Sequence, residues 1–416
     1  TDCEFVNLML YNINYIGLGA YSLPEFTNYY LYHNNIIRVN SSDGTLIGEA
    51  GEGIHTITNN ILLSNQNSMA IDLEYEKELT IKNNIISGFL WRGIRDSGPY
   101  NDTTFVHNNL FFNVNPQTSV LMYQGKTVSF KNNVVAYNGV GVSAVWDTLA
   151  TDYNIFWQNT RDVNDRAKKG AHDISVDPMF VKDVPPHLDS TYDFHLQAYS
   201  PGIDAGDPNI LDVDGSRSDI GLFGGPGGES YAYDDLEPRQ PRNLSAVVDS
   251  NYITLKWNRN TEADTSFYKV YRDTVISFQI DSTKLISSQT DTFFIQKNPH
   301  NISKYVYKVT CVDNQGNESS PSQEIIVNII TVSTDDYPMT INDYVLYQNY
   351  PNPFNPSTKI GYQLKESGYV KVIVYDIKGE LVSVLVNKEQ NEGYYEVEFT
   401  VGNGLPSVPN VPGLAS

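Results

Sequence analysis

Read for apolar and polar positions, the first 160 residues repeat a single phrase: HNNIIRVN from His33, NNILLSN from Asn59, NNIISGF from Asn83, NNLFFN from Asn108, NNVVAYN from Asn132 and YNIFWQN from Tyr153. Successive pairs are separated by 25, 24, 25, 24 and 21 residues, a period that marks stacked repeats rather than one globular core. Two positions before each pair stand Tyr32, Ile57, Ile81, Val106, Phe130 and Thr151, and apolar residues fill the two positions after it. That pattern predicts strands entering and leaving a turn, with no long helical period. Strands stacked at about 4.8 Å superpose equivalent residues. The second residue of each pair (Asn35, Asn60, Asn84, Asn109, Asn133, Asn154) is therefore expected to hydrogen-bond up the stack as an internal ladder. Asn also suits a left-handed corner between strands, and a ladder satisfies its amide without a ligand.

This repeat resembles the right-handed parallel β-helix family over residues 1–175. With 29 Gly, 20 Pro and 29 Tyr, the whole chain reads as all-β: a right-handed parallel β-helix followed by two small β-sandwich domains. A formal net charge of −21 excludes the basic footprint that nucleic-acid binding needs, and it favours neutral or cationic partners over anionic membranes. Cys3 and Cys311 fall in different expected domains, so no disulfide framework is indicated. No apolar run reaches transmembrane length. Thr1 opens directly into a rung, as expected of a processed product or a fragment lacking its amino-terminal cap.

Beyond the last clear pair, residues 177–225 read DPMFV, DFHLQAYSPGIDAGDP and DVDGSRSDIGLFGG. They resemble the closing segment of secreted bacterial β-helix proteins, which implies a cover over the carboxyl end of the stack and a first domain spanning 1–229. Asp204, Asp207, Asp212, Asp214 and Asp219 admit two readings, Asp-Gly turn chemistry or bound calcium, with Asp212, Asp214 and Asp219 as candidate ligands. GGPGGESYAYDDLEPRQP reads as a linker. Residues 238–330, with Trp257, Tyr268, Tyr271 and a tyrosine corner at Tyr305 or Tyr307, resemble a fibronectin type III sandwich.

The last domain, 343–416, begins YVLYQNYPNPFNPSTKIGYQL and continues VKVIVYDIKGELV. Over residues 343–400 it resembles the carboxyl-terminal sorting domain of type IX secretion substrates. The resemblance implies a partner in that secretion machinery and a protein secreted or held at the outer surface of a Gram-negative bacterium. That family ends on an aromatic strand, whereas residues 401–416 place Pro406, Pro409 and Pro412 where ladder donors are needed.

For the β-helix itself, resemblance implies a long side that holds an extracellular polysaccharide. Fifteen residues after each pair stand Glu49, Glu74, Gly98, Tyr123 and Asp147, with Asp72, Trp91, Arg95 and Trp146 nearby. Alternation in AIDLEY turns Ile71 and Leu73 inward and Asp72 and Glu74 outward. Asp72, Glu74, Arg95 and Asp147 are thus the candidate catalytic residues for a hydrolase or lyase. Glu49, Trp91, Tyr123 and Trp146 are candidates for carbohydrate binding. The competing readings are a solvated outer face and a non-enzymatic adhesin or stalk. The acidic chain shows no basic groove, which disfavours tight binding of polyanionic sugars. His55, His107 and His172 read as isolated turn or surface residues, and no nucleophilic triad, phosphate loop or metal-spaced Cys/His cluster is visible.

Overall fold

Each of the first five turns lays down three short strands, one in each of three parallel sheets, and the later turns add strands to the first two sheets. The computed structural model describes residues 3–13, 16–18, 28–39, 45–50, 53–64, 68–74, 78–89, 92–96, 103–112, 121–123, 127–182, 192–249, 252–297, 304–328, 344–350, 352, 354, 356–376 and 378–401. Among them there is no helix, and the three solenoid sheets hold eight, seven and five strands. Inward columns fill the interior. Tyr32, Ile57, Ile81, Val106 and Phe130 align on the first sheet, Ile37, Leu62, Ile86, Phe111, Val135 and Phe156 on the second, and Ile47, Ile71 and Ile94 on the third. All are buried, each contributing about 1.5–3 kcal/mol through apolar burial.

At the corner between the first two sheets, the first residue of each pair is left-handed, with φ between 53° and 57° at Asn34, Asn59, Asn83, Asn108, Asn132 and Tyr153. The second forms the ladder. Asn109 Nδ2 donates to Asn133 Oδ1 at 3.0 Å and to the carbonyls of Ile81 and His107, while Asn109 Oδ1 accepts from Asn84. The chain of amides runs in one direction from Asn35 to Asn154. It ends on a carboxylate: Asn154 donates through N and Nδ2 to Asp173 Oδ1, and Gly170 N donates to Asp173 Oδ2. His172 stacks on Tyr153 at 4.3 Å, and Ile174 pairs with Ile155. Thus His172-Asp173-Ile174 is a further rung, one beyond the last Asn pair. An acceptor-only side chain suits the last place in a series of donors.

The described residues of 177–225, which are 177–182 and 192–225, do not take the expected position over the carboxyl end of the stack. They pack on the outer side of the second sheet, because the positions after the Asn pairs are apolar on both faces. Leu110, Phe112, Val134 and Ile155 point outward and form a second core with Phe180, Phe194, Leu196 and Ile220. The strap also reads the outer Asn row. Asn83 Nδ2 donates to the carbonyls of Leu222 and Gly224, Asn108 Nδ2 to that of Asp219, and Asp207 N donates to Asn132 Oδ1. Glycine is required at 224, where a Cβ would stand 2.2 Å from the Asp219 carbonyl oxygen.

The stretch expected as a linker is pinned along its length. Glu229 bonds His195, Tyr233 donates to Asp219, and Ala198 N donates to the Asp234 carbonyl. It leads into two antiparallel sheets of three and four strands, with Trp257 buried and edge-on to Tyr268 at 5.6 Å. Tyr305 and Tyr307 are buried but make no tyrosine corner: Tyr307 Oη donates to the Gln296 side chain, and the Arg272 guanidinium lies over the Tyr305 ring. Solenoid and sandwich belong to one compact unit, Thr1–Asn298 with Lys304–Asn328. The second unit, Pro299–Ser303 with Ile329–Ser416, consists in its described residues of antiparallel strands around Tyr362, Leu364 and Val386.

The ladder yields a direct test. Asn109→Ala orphans several buried donors and acceptors, each costing about 1–3 kcal/mol, so a loss on the order of 3 kcal/mol is expected in urea unfolding. Asn34→Gly keeps the left-handed corner outside the ladder and should leave the midpoint almost unchanged. Equal, small effects would contradict the ladder's role.

Candidate functional site

The third sheet carries the residues expected to form the site. Ile71 and Leu73 are buried, and the flanking outward position is Asp72. Asp72 aligns with Arg95 on the next strand, and the guanidinium takes both carboxylate oxygens, through Nε to Oδ1 and Nη2 to Oδ2, the latter at 2.9 Å. The pair is a cross-rung clamp, as expected for neighbouring opposite charges on one sheet face. Glu49 and Glu74 do not share a column. The connection from Ser64 to Met69 is one residue shorter than that from Val39 to Thr45, so Glu49 aligns with Leu73 and Glu74 with Ala50. Tyr123 aligns with Asp96. Trp91 and the side chains of Glu49, Glu74, Tyr123, Trp146 and Asp147 lie outside the described residues.

The strap's carboxylates hold its own backbone. Asp212 accepts from the N–H groups of Gly225 and Asp219, while Asp219 accepts from Asp204 N and from the Tyr233 hydroxyl, both at 2.9 Å. Asp214 caps Ser216 at the surface. Burial pushes Asp219 up to about 6, against the downward pull of the Asp204 and Tyr233 hydrogen bonds. This arrangement does not fit a calcium shell, which needs six to eight oxygens turned toward one point. Among the described residues no three His, Cys, Asp or Glu side chains converge.

Histidines occupy three different environments. His55 is buried in the solenoid interior, stacked with Tyr32, rather than at a turn or on the surface. His172 bonds Asp152 in the last rung. His107 stands in an outward column with His33, Thr58, Lys82 and Lys131, its Nε2 2.7 Å from Ser129 Oγ. Burial lowers its pKa to about 4, and Lys82 and Lys131 push the same way while Asp207 opposes them.

The built cavity lies at the joint between solenoid and sandwich. A second corner of the solenoid repeats the ladder device: Asn138 donates through N and Nδ2 to Asn159 Oδ1, and the residues just before, Tyr137 and Gln158, are left-handed. These corners throw Tyr137 and Gln158 outward beside Trp157, whose Nε1 donates to Tyr137 Oη at 3.3 Å. Facing them are Arg239, Gln240 and Arg242 from the end of the strap, and Asn258–Glu262 from the sandwich. Together they line a cavity of about 310 Å³.

Its walls are fixed by a buried ion pair. Asp177 is 1% exposed and accepts from Arg239 Nη1 and from the Thr261 hydroxyl through one oxygen, and from Met179 N through the other. Glu262 accepts from Arg239 N at 2.7 Å, from Thr261 N and from Asn260 Nδ2. Removing one member of such a pair typically costs 3–5 kcal/mol, so the two walls are held together. The cleft therefore combines a braced aromatic pair, several amides and guanidiniums. The first presents an apolar ring face and the others present directional hydrogen bonds. Sequence reasoning missed this site because its parts are separated by about 100 residues along the chain. The available signal was the second Asn column, the YN at 137 and QN at 158 that recur at the rung spacing.

No family model matches the chain. It is 33% identical over 102 residues to an amylopullulanase of Thermoanaerobacterium saccharolyticum, covering 24% of this chain and 7% of that protein. It is 35% identical over 88 residues to an amylopullulanase of Thermoanaerobacter thermohydrosulfuricus, covering 21% and 6%. The chain thus spans only a small part of these relatives. A fibronectin type III-like protein from Clostridium thermocellum is 32% identical, covering 22% of this chain and 92% of that one, with a TM-score of 0.19. No helix among the described residues is long and apolar enough to cross a membrane.

The environment of His107 sets a pH dependence. Its folded pKa of about 4 lies below the ordinary 6.5, so the group's contribution to stability is full above 6.5 and lost as pH falls toward 4. In urea unfolding between pH 7 and 4, His107→Gln should flatten this limb while keeping a partner for Ser129. An unchanged profile would contradict the assigned environment.

Proposed function

We propose that this chain is an extracellular carbohydrate-binding protein whose glycan seat is the cleft between solenoid and sandwich. The observation that carries the proposal is the Trp157–Tyr137 pair opening onto Gln158, Gln240 and Asn258 within one cavity. Sugar sites need an aromatic face for the apolar side of a ring and fixed polar groups for its hydroxyls. The partial similarity to amylopullulanases supports a carbohydrate-active setting.

Delivery is a second part of the same proposal. The resemblance of residues 343–400 to a type IX sorting domain supports export to the outer surface of a Gram-negative bacterium. Under this reading the solenoid and sandwich form one presenting body for an extracellular polysaccharide. Cleavage at the third sheet by Asp72, Glu74, Arg95 and Asp147 is the alternative, resting on the outward Asp72–Arg95 pair.

Binding of the full chain to immobilised neutral and acidic polysaccharides, with reducing-end and unsaturated-uronide readouts in parallel, separates these readings. Trp157→Ala should weaken binding about tenfold or more, equivalent to about 1.4 kcal/mol or more, while Asp72→Asn leaves it intact and no product accumulates. Product formation lost in Asp72→Asn, with binding indifferent to Trp157→Ala, would move the site to the third sheet.

A further inference from the structure

We propose that the cleft selects sugars bearing a carboxylate, an inference that rests on the carbohydrate reading above. The chain as a whole carries a net charge of −21, yet the cavity lining contains three arginines and two acids. Both acids are committed to the walls. Asp177 is taken by Arg239, Thr261 and Met179 N, and Glu262 by the backbone of Arg239 and Thr261 and by Asn260. Arg239 is neutralised by Asp177 at 2.5 Å, with Glu262 at 3.9 Å.

Arg242 and Arg259 are different. Both are exposed at the cavity, one on the strap and one on the sandwich, and among the described residues neither makes an ion pair. Their surplus charge stands beside the aromatic pair, where a sugar ring stacked on Trp157 would present its substituents. A guanidinium offers a planar fork of donors that matches a carboxylate, which a neutral hydroxyl cannot use in the same bidentate way. The acidic remainder of the molecule weakens this attraction only over distance, since charges beyond about 8 Å are largely screened at physiological salt. Contact with two unpaired guanidiniums is local and survives that screening. Arg242 and Arg259 sit in separate segments, PRQPRN and WNRN, and come together at the cavity only in the fold.

The test titrates the full chain with oligogalacturonate and oligomannuronate, each beside its methyl ester, by calorimetry at two salt concentrations. The acid should bind at least tenfold more tightly than its ester, with the difference shrinking at higher salt. Arg242→Gln with Arg259→Gln should reduce the acid to the level of the ester, in a protein whose thermal unfolding is unchanged. Equal binding of acid and ester, both lost in Trp157→Ala, would overturn the charge selection and leave the carbohydrate reading standing. Preference for the acid that persists in the double variant would also overturn it. No binding to any of the four, nor to neutral polysaccharides, would remove both readings.

Discussion

The solenoid depends on a one-way relay of buried amide hydrogen bonds. Each ladder Asn spends its two donors on the next rung and on backbone carbonyls at the corner, and offers its oxygen to the rung before. A corner satisfied in this way fixes the register of the strands on both sides of it. That register brings Tyr32, Ile57, Ile81, Val106 and Phe130 into one column and the second-sheet residues into another. The relay ends chemically rather than by running out of chain, since Asp173 can accept but not donate. The same device at Asn138 and Asn159 aims Tyr137, Trp157 and Gln158 into the cleft, so the proposed site is built on ladder geometry.

A second constraint follows from the corners. Strands short enough to fit between left-handed Asn residues and a loop have few positions, and in the second sheet those positions are apolar on both faces. The outward set, Leu110, Phe112, Val134 and Ile155, must be covered, and the strap from Asp177 onward covers it. Covering the sheet brings the strap's end, with Arg239, back beside Asp177. The sandwich that follows is then tied to both ends of the strap, the Thr261 hydroxyl donating to Asp177 and Glu262 accepting from Arg239 N. A cavity with walls from both bodies is the consequence.

Much of this was legible in the sequence. Asn pairs at nearly constant spacing disclose the rungs because each interior place in the ladder both donates to the next rung and accepts from the one before, which a short amide side chain does. Alternation in AIDLEY located Ile71 and Leu73 inside because a strand has only two faces. Other features were not legible for physical reasons. Register on the third sheet depends on loop length, and one residue fewer before Met69 separates Glu49 from Glu74. Asp173 replaces Asn at the last rung, so a search for Asn pairs stops at Asn154. The Gly-rich and acidic strap has the composition of a linker, and its order comes from contacts to Asn83, Asn108 and Asp219 that are distant in sequence. Beyond the second Asn column the cleft has no local signature, because Trp157, Arg242 and Arg259 belong to three separate elements.

The central claim is that the joint, rather than the flank of the solenoid, is where a glycan sits. A crystal structure of the full chain soaked with oligogalacturonate tests it most directly. Density for a sugar ring stacked on Trp157, with a carboxylate between Arg242 and Arg259, is the result the account predicts. Density along the third sheet beside Asp72 and Arg95, with the joint holding only solvent, would contradict it.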